Sequence, residues 1–166
     1  MKEELVKIAE QGRTLLLKIA IFLIGITVLG LCLIWLPWQA MILEDMYPEF
    51  VFLKLPLLIG IYLTTIPFFF ALYKGIKLLS YIDKNQAFSE RSVKSLRSIK
   101  VCAITISLLY VLGMMILISV NAGNPGILLL GLVITFASIV IAVFSAVLQM
   151  LLKSGMDLKA ENDLMV

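Results

Sequence analysis

Histidine is absent from this chain of 166 residues, and cysteine occurs only at Cys32 and Cys102. Without histidine there is no imidazole to act as a general base near neutral pH, and no metal set that includes one. The two cysteines lie at opposite ends of a membrane crossing, so one chain should not bring them within the ~7 Å between Cα atoms that a disulfide needs. Charge is scarce: 15% of residues are Asp, Glu, Lys or Arg, against 61% hydrophobic. Four apolar runs, residues 15–36, 55–73, 101–120 and 126–152, contain no charge except Lys18, near one end of the first. Ion-coupled transport and proton relays usually use charged groups near the midplane, and these runs have none. The inverted repeat of paired broken helices found in many transporters is missing too. So are a His-Glu metal pattern, a Gly-x-Ser-x-Gly turn and a phosphate-binding glycine loop. The chain therefore reads as a non-enzyme without cofactor or metal. Glu44, Asp45 and Glu49 share one short loop, and such acids are ordinarily solvated.

What is present is hydrocarbon. A bilayer core about 30 Å thick takes about 20 apolar residues per helix, and each run meets that length without the polar face of a soluble helix. The fold class expected is all-α, an integral membrane four-helix bundle forming one four-span domain over residues 1–166. The first run exceeds a signal-peptide core and no small-x-small site follows it near Trp35–Met41, so it is expected to stay as an anchor.

Lysine and arginine set the orientation. Lys2, Lys7, Arg13 and Lys18 precede span one. Lys74, Lys77, Lys84, Arg91, Lys94, Arg97 and Lys100 lie between spans two and three, and Lys153 and Lys159 follow span four. An even number of spans puts all three groups on one face, so both termini are predicted cytoplasmic. The other face holds Lys54 and the three acids. Trp35, Trp38, Tyr47 and Phe50 on one side and Tyr73 and Tyr81 on the other suit the headgroup levels.

The connections are short. Pro37–Phe50 is expected as a loop whose apolar turn, Met41–Leu43, rests in the interface. Asn121–Pro125 is turn chemistry and makes spans three and four a tight hairpin. In the inner segment, Asp83-Lys84-Asn85-Gln86 reads as a turn and Ser89 as the N-cap of a helix beginning at Glu90. Val93, Leu96 and Ile99 recur there among Arg91, Lys94, Arg97 and Lys100, the pattern of a short basic amphipathic helix leading into span three. Phe88 is expected to staple onto Ser92 or Val93. This segment suits anionic lipid headgroups or an acidic patch on a cytoplasmic partner, and not direct nucleic-acid binding. The N-terminal tail has a weaker apolar side at Leu5, Ile8 and Ala9. Span four is longer than a bilayer requires, so it tilts or projects as far as Gly155.

Two polar patterns lie inside the spans. Gly131, Thr135, Ser138, Ala142, Ser145 and Gln149 recur at heptad spacing on span four. Small and hydroxylated residues let membrane helices approach closely, so this is a packing seam or a polar lining, and it is also a surface for homo-oligomers. In span two, Pro67 follows Thr64 and Thr65; it cannot bond the Leu63 carbonyl and should kink the helix. Tyr110 and Gly113 of span three are candidates to sit beside that break.

Two stretches outside the spans, Ile82-Asp83-Lys84-Asn85-Gln86-Ala87-Phe88-Ser89 with Val93-Lys94-Ser95-Leu96-Arg97, and Gly155-Met156-Asp157-Leu158-Lys159-Ala160-Glu161-Asn162-Asp163-Leu164, resemble the YoaS-like bacterial family, which carries a domain of unknown function. The resemblance covers nearly the whole chain. Met165 departs from it, standing where the family usually has Thr. It implies a bacterial cytoplasmic-membrane protein without enzyme activity, paired with a small helix-turn-helix regulator of the phage-repressor type. The candidate partner contacts are then Phe88, Arg91, Lys94, Arg97, Asp157, Glu161, Asp163 and Leu164. The alternative is a small transporter or immunity protein handling an apolar peptide or lipid through the Thr64–Pro67 break and the span-four seam.

Overall fold

The computed structural model describes residues 1–165, and among them there is no strand. Helix α1 (Lys2–Gly30) runs through a π turn (Leu31–Trp35) into α2 (Leu36–Met46). A 3-10 turn (Pro48–Phe50) leads to α3 (Val51–Asp83), followed by α4 (Glu90–Ser119) and α5 (Pro125–Met165). With α1 and α2 taken as one rod, four helices are long and apolar enough to cross a membrane. The start of α1, the end of α5 and the α3–α4 turn lie at one end of the molecule, called here the basic end; the α2–α3 and α4–α5 connections lie at the far end.

Local chemistry sets the breaks. Asn85 and Asn121 take left-handed φ values of 58° and 57°, a conformation that asparagine tolerates better than most residues. Ser89 caps α4, its hydroxyl accepting from the Ser92 N–H at 3.4 Å. Asn124 Oδ1 accepts from Gly126 N at 2.9 Å, with Pro125 in the first helical position, where its missing N–H costs nothing.

The helices pack in chain order: α1 on α3, α3 on α4, α4 on α5. No other pair of these four makes a comparable contact among the described residues. The molecule exposes 12011 Å², whereas a compact soluble protein of 18.5 kDa would expose about 8,200 Å². Its surface is covered with Leu, Ile, Val and Phe side chains, so the missing cover is hydrocarbon.

Helices α1 and α3 are joined along their length. Thr14 and Lys18 meet Asp83, Ile21 lies against Gly75, Gly25 against Leu72 and Phe69, and Cys32 meets Tyr62. At the far end Glu44 pairs with Lys54.

The expected Pro37–Phe50 loop is instead mostly helix. The rod continues to Met46, and Met41–Leu43 lies within α2. The π turn shows how Pro37 is accommodated. In that turn each N–H reaches five residues back, and Leu36 N–H bonds Leu31 O. The next donor in this register would come from residue 37 to Cys32 O, but proline has none. Tyr62 of α3 supplies it, its hydroxyl donating to Cys32 O at 2.8 Å.

Two further boundaries move outward. Span two continues as helix ten residues past Tyr73, to Asp83. The last helix runs 41 residues to Met165 rather than stopping near Gly155. The N-terminal tail is likewise continuous with span one from Lys2, with residues 1–13 all exposed.

Candidate functional site

The basic end has three parts: the exposed start of α1, the α3–α4 turn with the first turns of α4, and the projecting end of α5. Where α3 and α4 meet, the packing is tight. Ser92 is 0% exposed, Ser95 3% and Leu96 3%. The hydroxyls of Ser89 and Ser92 both donate to the Gln86 carbonyl, at 2.7 and 3.1 Å. The turn is thereby tied to the first turn of the helix it opens. The small side chains on this face of α4 permit close approach, and the basic residues Arg91, Lys94 and Arg97 are left exposed.

Phe88 makes a close contact with another helix. Its ring lies against Gly155 of α5: a Cβ at residue 155 would fall 2.5 Å from Phe88 Cε1 and 2.7 Å from Cδ1. Close approach, not backbone conformation, is what favours glycine here: with any larger residue the Phe88 ring would have to shift. This contact joins the two stretches that carry the family resemblance. Beyond it, Asp157, Glu161, Asp163 and Leu164 are all exposed, Leu164 to 87%. From Gln149 to Met165 the helix advances about 24 Å.

A second cluster fixes α1 to α3. Lys18 Nζ donates to Asp83 Oδ2 at 2.6 Å, and Thr14 Oγ1 donates to Oδ1. Thr14 Oγ1 also lies 2.9 Å from the Gln11 carbonyl and 3.2 Å from that of Glu10. Its single proton goes to the carboxylate, the charged acceptor. The Lys18 ammonium, and after it the Thr14 hydroxyl, hold the Asp83 carboxyl below its ordinary value. The sequence displayed Lys18 as the lone charge of its run, but nothing local signalled a partner 65 residues away.

Inside the spans, the heptad residues of α5 form its buried face: Gly131, Thr135, Ser138, Ala142 and Ser145 are the five buried residues of that helix. They pack on α4, where Met114 sits over Gly131; a Cβ there would be 2.9 Å from the Met114 sulfur. Thr135 donates back to the Gly131 carbonyl at 2.8 Å, which satisfies its hydroxyl within the helix. Gln149 ends the seam, half-buried, accepting from Lys100 Nζ at 3.3 Å. Thr64 is buried on α3, and Thr65 and Pro67 are half-buried. Their hydroxyls do not reach the Leu63 carbonyl that Pro67 frees: Thr64 bonds Ile61 O at 2.6 Å and Thr65 bonds Tyr62 O at 2.6 Å. Tyr110 is half-buried on α4. The Thr64 set and the Gly131–Gln149 set therefore lie on helices flanking α4 and do not line one space. Among the described residues no buried side-chain polar atom lacks a partner. Both cysteines are free and buried.

Comparison with known proteins matches residues 38–166 to a family described as "Protein of unknown function (DUF2975)". The chain is also 52% identical over 155 residues to "Uncharacterized membrane protein YoaS" of Bacillus subtilis (strain 168), an alignment covering 92% of this chain and 97% of the relative. No solved structure matches.

Proposed function

The chain belongs to the DUF2975 family, and from that premise we propose that it is a non-catalytic regulatory protein of the bacterial cytoplasmic membrane. The basic end faces the cytoplasm and holds a soluble partner, a small helix-turn-helix transcriptional regulator being the kind that the family resemblance implies. The observation that carries this reading is the seating of Phe88 on Gly155. It sets the cationic start of α4 (Arg91, Lys94, Arg97) beside the base of the projecting end of α5, which continues through the exposed Asp157, Glu161, Asp163 and Leu164, so that one end of the molecule bears both signs of charge. Such a surface selects partners by charge pattern more than by apolar area. A permeation path through the α5 seam finds no support in its burial against α4.

The test is a photo-crosslinking residue at position 164 in living cells, combined with a reporter fused after Val166. Cytoplasmic reporter activity and an adduct with a helix-turn-helix regulator are expected. Phe88→Ala should abolish the adduct without lowering the amount of protein in the membrane. An adduct that survives Phe88→Ala, or a reporter active only outside the cell, would count against the reading.

A further inference from the structure

Helix α1 stands at one edge of the row of helices, since it packs on α3 and makes no comparable contact with α4 or α5 among the described residues. Its α3 side is marked by Thr14, Lys18, Ile21, Gly25 and Cys32. The opposite side carries an unbroken line of residues at alternating steps of four and three. Leu5, Ala9 and Gly12 form its outer part, beyond Thr14, where α3 has already ended at Asp83. Leu16, Ile19, Leu23, Ile26 and Gly30 continue it through the first span. All are exposed except Gly30, which is half-buried, and a Cβ added at Gly12 or Gly30 would meet nothing within 4 Å. The line is about 38 Å long. It ends where the π turn at Leu31 shifts the phase of the helix.

Hydrocarbon can cover the inner part of this line but not the outer part. Leu5 lies about 14 Å past Thr14 along the helix, among residues 1–13 that are all exposed. The charged residues between Lys2 and Arg13 all lie off the line; Lys7, one heptad before Thr14, is on the α3 side. About twelve residues of helix without a neighbour are marginal in water, so Leu5, Ala9 and Gly12 call for a helix against them. A soluble partner would match only this outer part. An occupant that matches the whole line is itself a membrane-crossing helix that extends into the same compartment. Within this chain, α1 and α5 are the edge helices that do so. On α5 the side away from α4 continues as Ser154, Leu158, Glu161 and Met165. It would bring the Glu161 carboxylate into an apolar seam, which costs free energy. The α1 line carries no charge, so a second α1 fits it along its whole length. Small residues at Ala9, Gly12 and Gly30 let the two backbones approach.

We propose that α1 binds α1 of a second copy of this chain, parallel and about a two-fold axis normal to the membrane, along the line from Leu5 to Gly30. The strict seven-residue repeat winds the pair into a left-handed supercoil. Because each copy uses the same side, the contact closes at two chains. That side faces away from α3, so the α4 and α5 surface proposed above stays free, and neither reading depends on the other.

Oxidative crosslinking in native membranes tests the proposal, with single cysteines placed in the full chain after Cys32→Ala and Cys102→Ala. Leu5→Cys, Ala9→Cys, Gly12→Cys and Leu16→Cys should each give dimer at least about five-fold faster than Glu3→Cys, Lys7→Cys and Glu10→Cys. Equal rates around the helix, or no dimer from any position, overturns the proposal. Thr14 with Asp83, and Gly155 with Phe88, flank one turn, which puts Gly12 near the level of Leu158. A crosslink from Gly12→Cys in one copy to Leu158→Cys in another that outruns the one between two Gly12→Cys copies would show a head-to-tail row instead and overturn the α1 pair. Where the cysteine-free chain does not insert, dye-labelled chain with its native cysteines decides, by counting bleaching steps in dilute vesicles. Leu5→Glu with Ala9→Glu should lower the dimer fraction at least about five-fold. Lys7→Gln with Gln11→Glu, which changes the charge equally but off the line, should leave it as in wild type. No loss in the first variant, or an equal loss in the second, overturns the proposal.

Discussion

Tyr62→Phe removes one oxygen and tests the account of the π turn. The Tyr62 hydroxyl donates at 2.8 Å to the Cys32 carbonyl, which Pro37 leaves without an intrahelical donor. Cys32 is 8% exposed, so water is a poor substitute. A neutral hydrogen bond contributes about 1 kcal/mol net, and a stranded buried carbonyl costs about 1–3 kcal/mol. Measured bonds between membrane helices average about 0.6 and reach about 1.7 kcal/mol. We therefore expect Tyr62→Phe to destabilise the α1–α3 pair by about 1 kcal/mol, a roughly five-fold change in its equilibrium. The informative measurement is a double-mutant cycle with Pro37→Ala. Alanine restores an N–H at residue 37, which takes back a freed carbonyl, so the Tyr62 hydroxyl becomes redundant. In that background Tyr62→Phe should cost under about 0.3 kcal/mol, leaving a coupling near ~0.7 kcal/mol. Reversible unfolding in bicelles, followed by steric trapping at the ends of α1 and α3, gives all four stabilities. Additive costs within error would refute the assignment of this carbonyl to Tyr62.

Other perturbations probe the remaining contacts. Ser138, 7% exposed in the α4–α5 contact, should tolerate Ala, but Leu should cost about 1–3 kcal/mol through overpacking; equal stability of the two variants would mean that the helices do not approach closely there. Asp83 has a lowered folded pKa, so its contribution is present above the unfolded value near about 3.9 and is lost as pH falls through the lower folded value. Spin labels at Gln11 and Lys84 should thus report a closed α1–α3 end at about pH 5 and progressive opening below about pH 4. Asp83→Asn should be looser at neutral pH and flat across that window. A wild-type opening centred well above pH 4 would assign the transition to another group.

The parts of this fold legible in the sequence are those set by neighbours a few residues apart. Run length gave the four spans. The Ser89 cap and the asparagine turns depend on the residues that form them. The heptad of small residues on span four proved to be the whole buried face of α5, because a helix fixes which side chains share a side. What stayed hidden depends on a second helix. Pro37 reads locally as a helix end, and it is tolerated because Tyr62 supplies the missing donor. Phe88 reads locally as a staple, and nothing near it in the chain points to its contact with Gly155. Ser92 stands among charged residues in the sequence and is the one fully buried side chain among the described residues, because α4 lies between α3 and α5. Asp83 was legible as a turn residue but not as an anchor for Lys18.

The unbroken course of α5 has a mechanical consequence. A helix of 41 residues without an internal proline is a stiff lever about 60 Å long. Pivoting it by about 5° at its capped start would swing the opposite tip by about 5 Å, half a helix diameter. The aromatic wedge at Gly155 is the last stop against that swing, so strain within the bilayer would be delivered as displacement well clear of it.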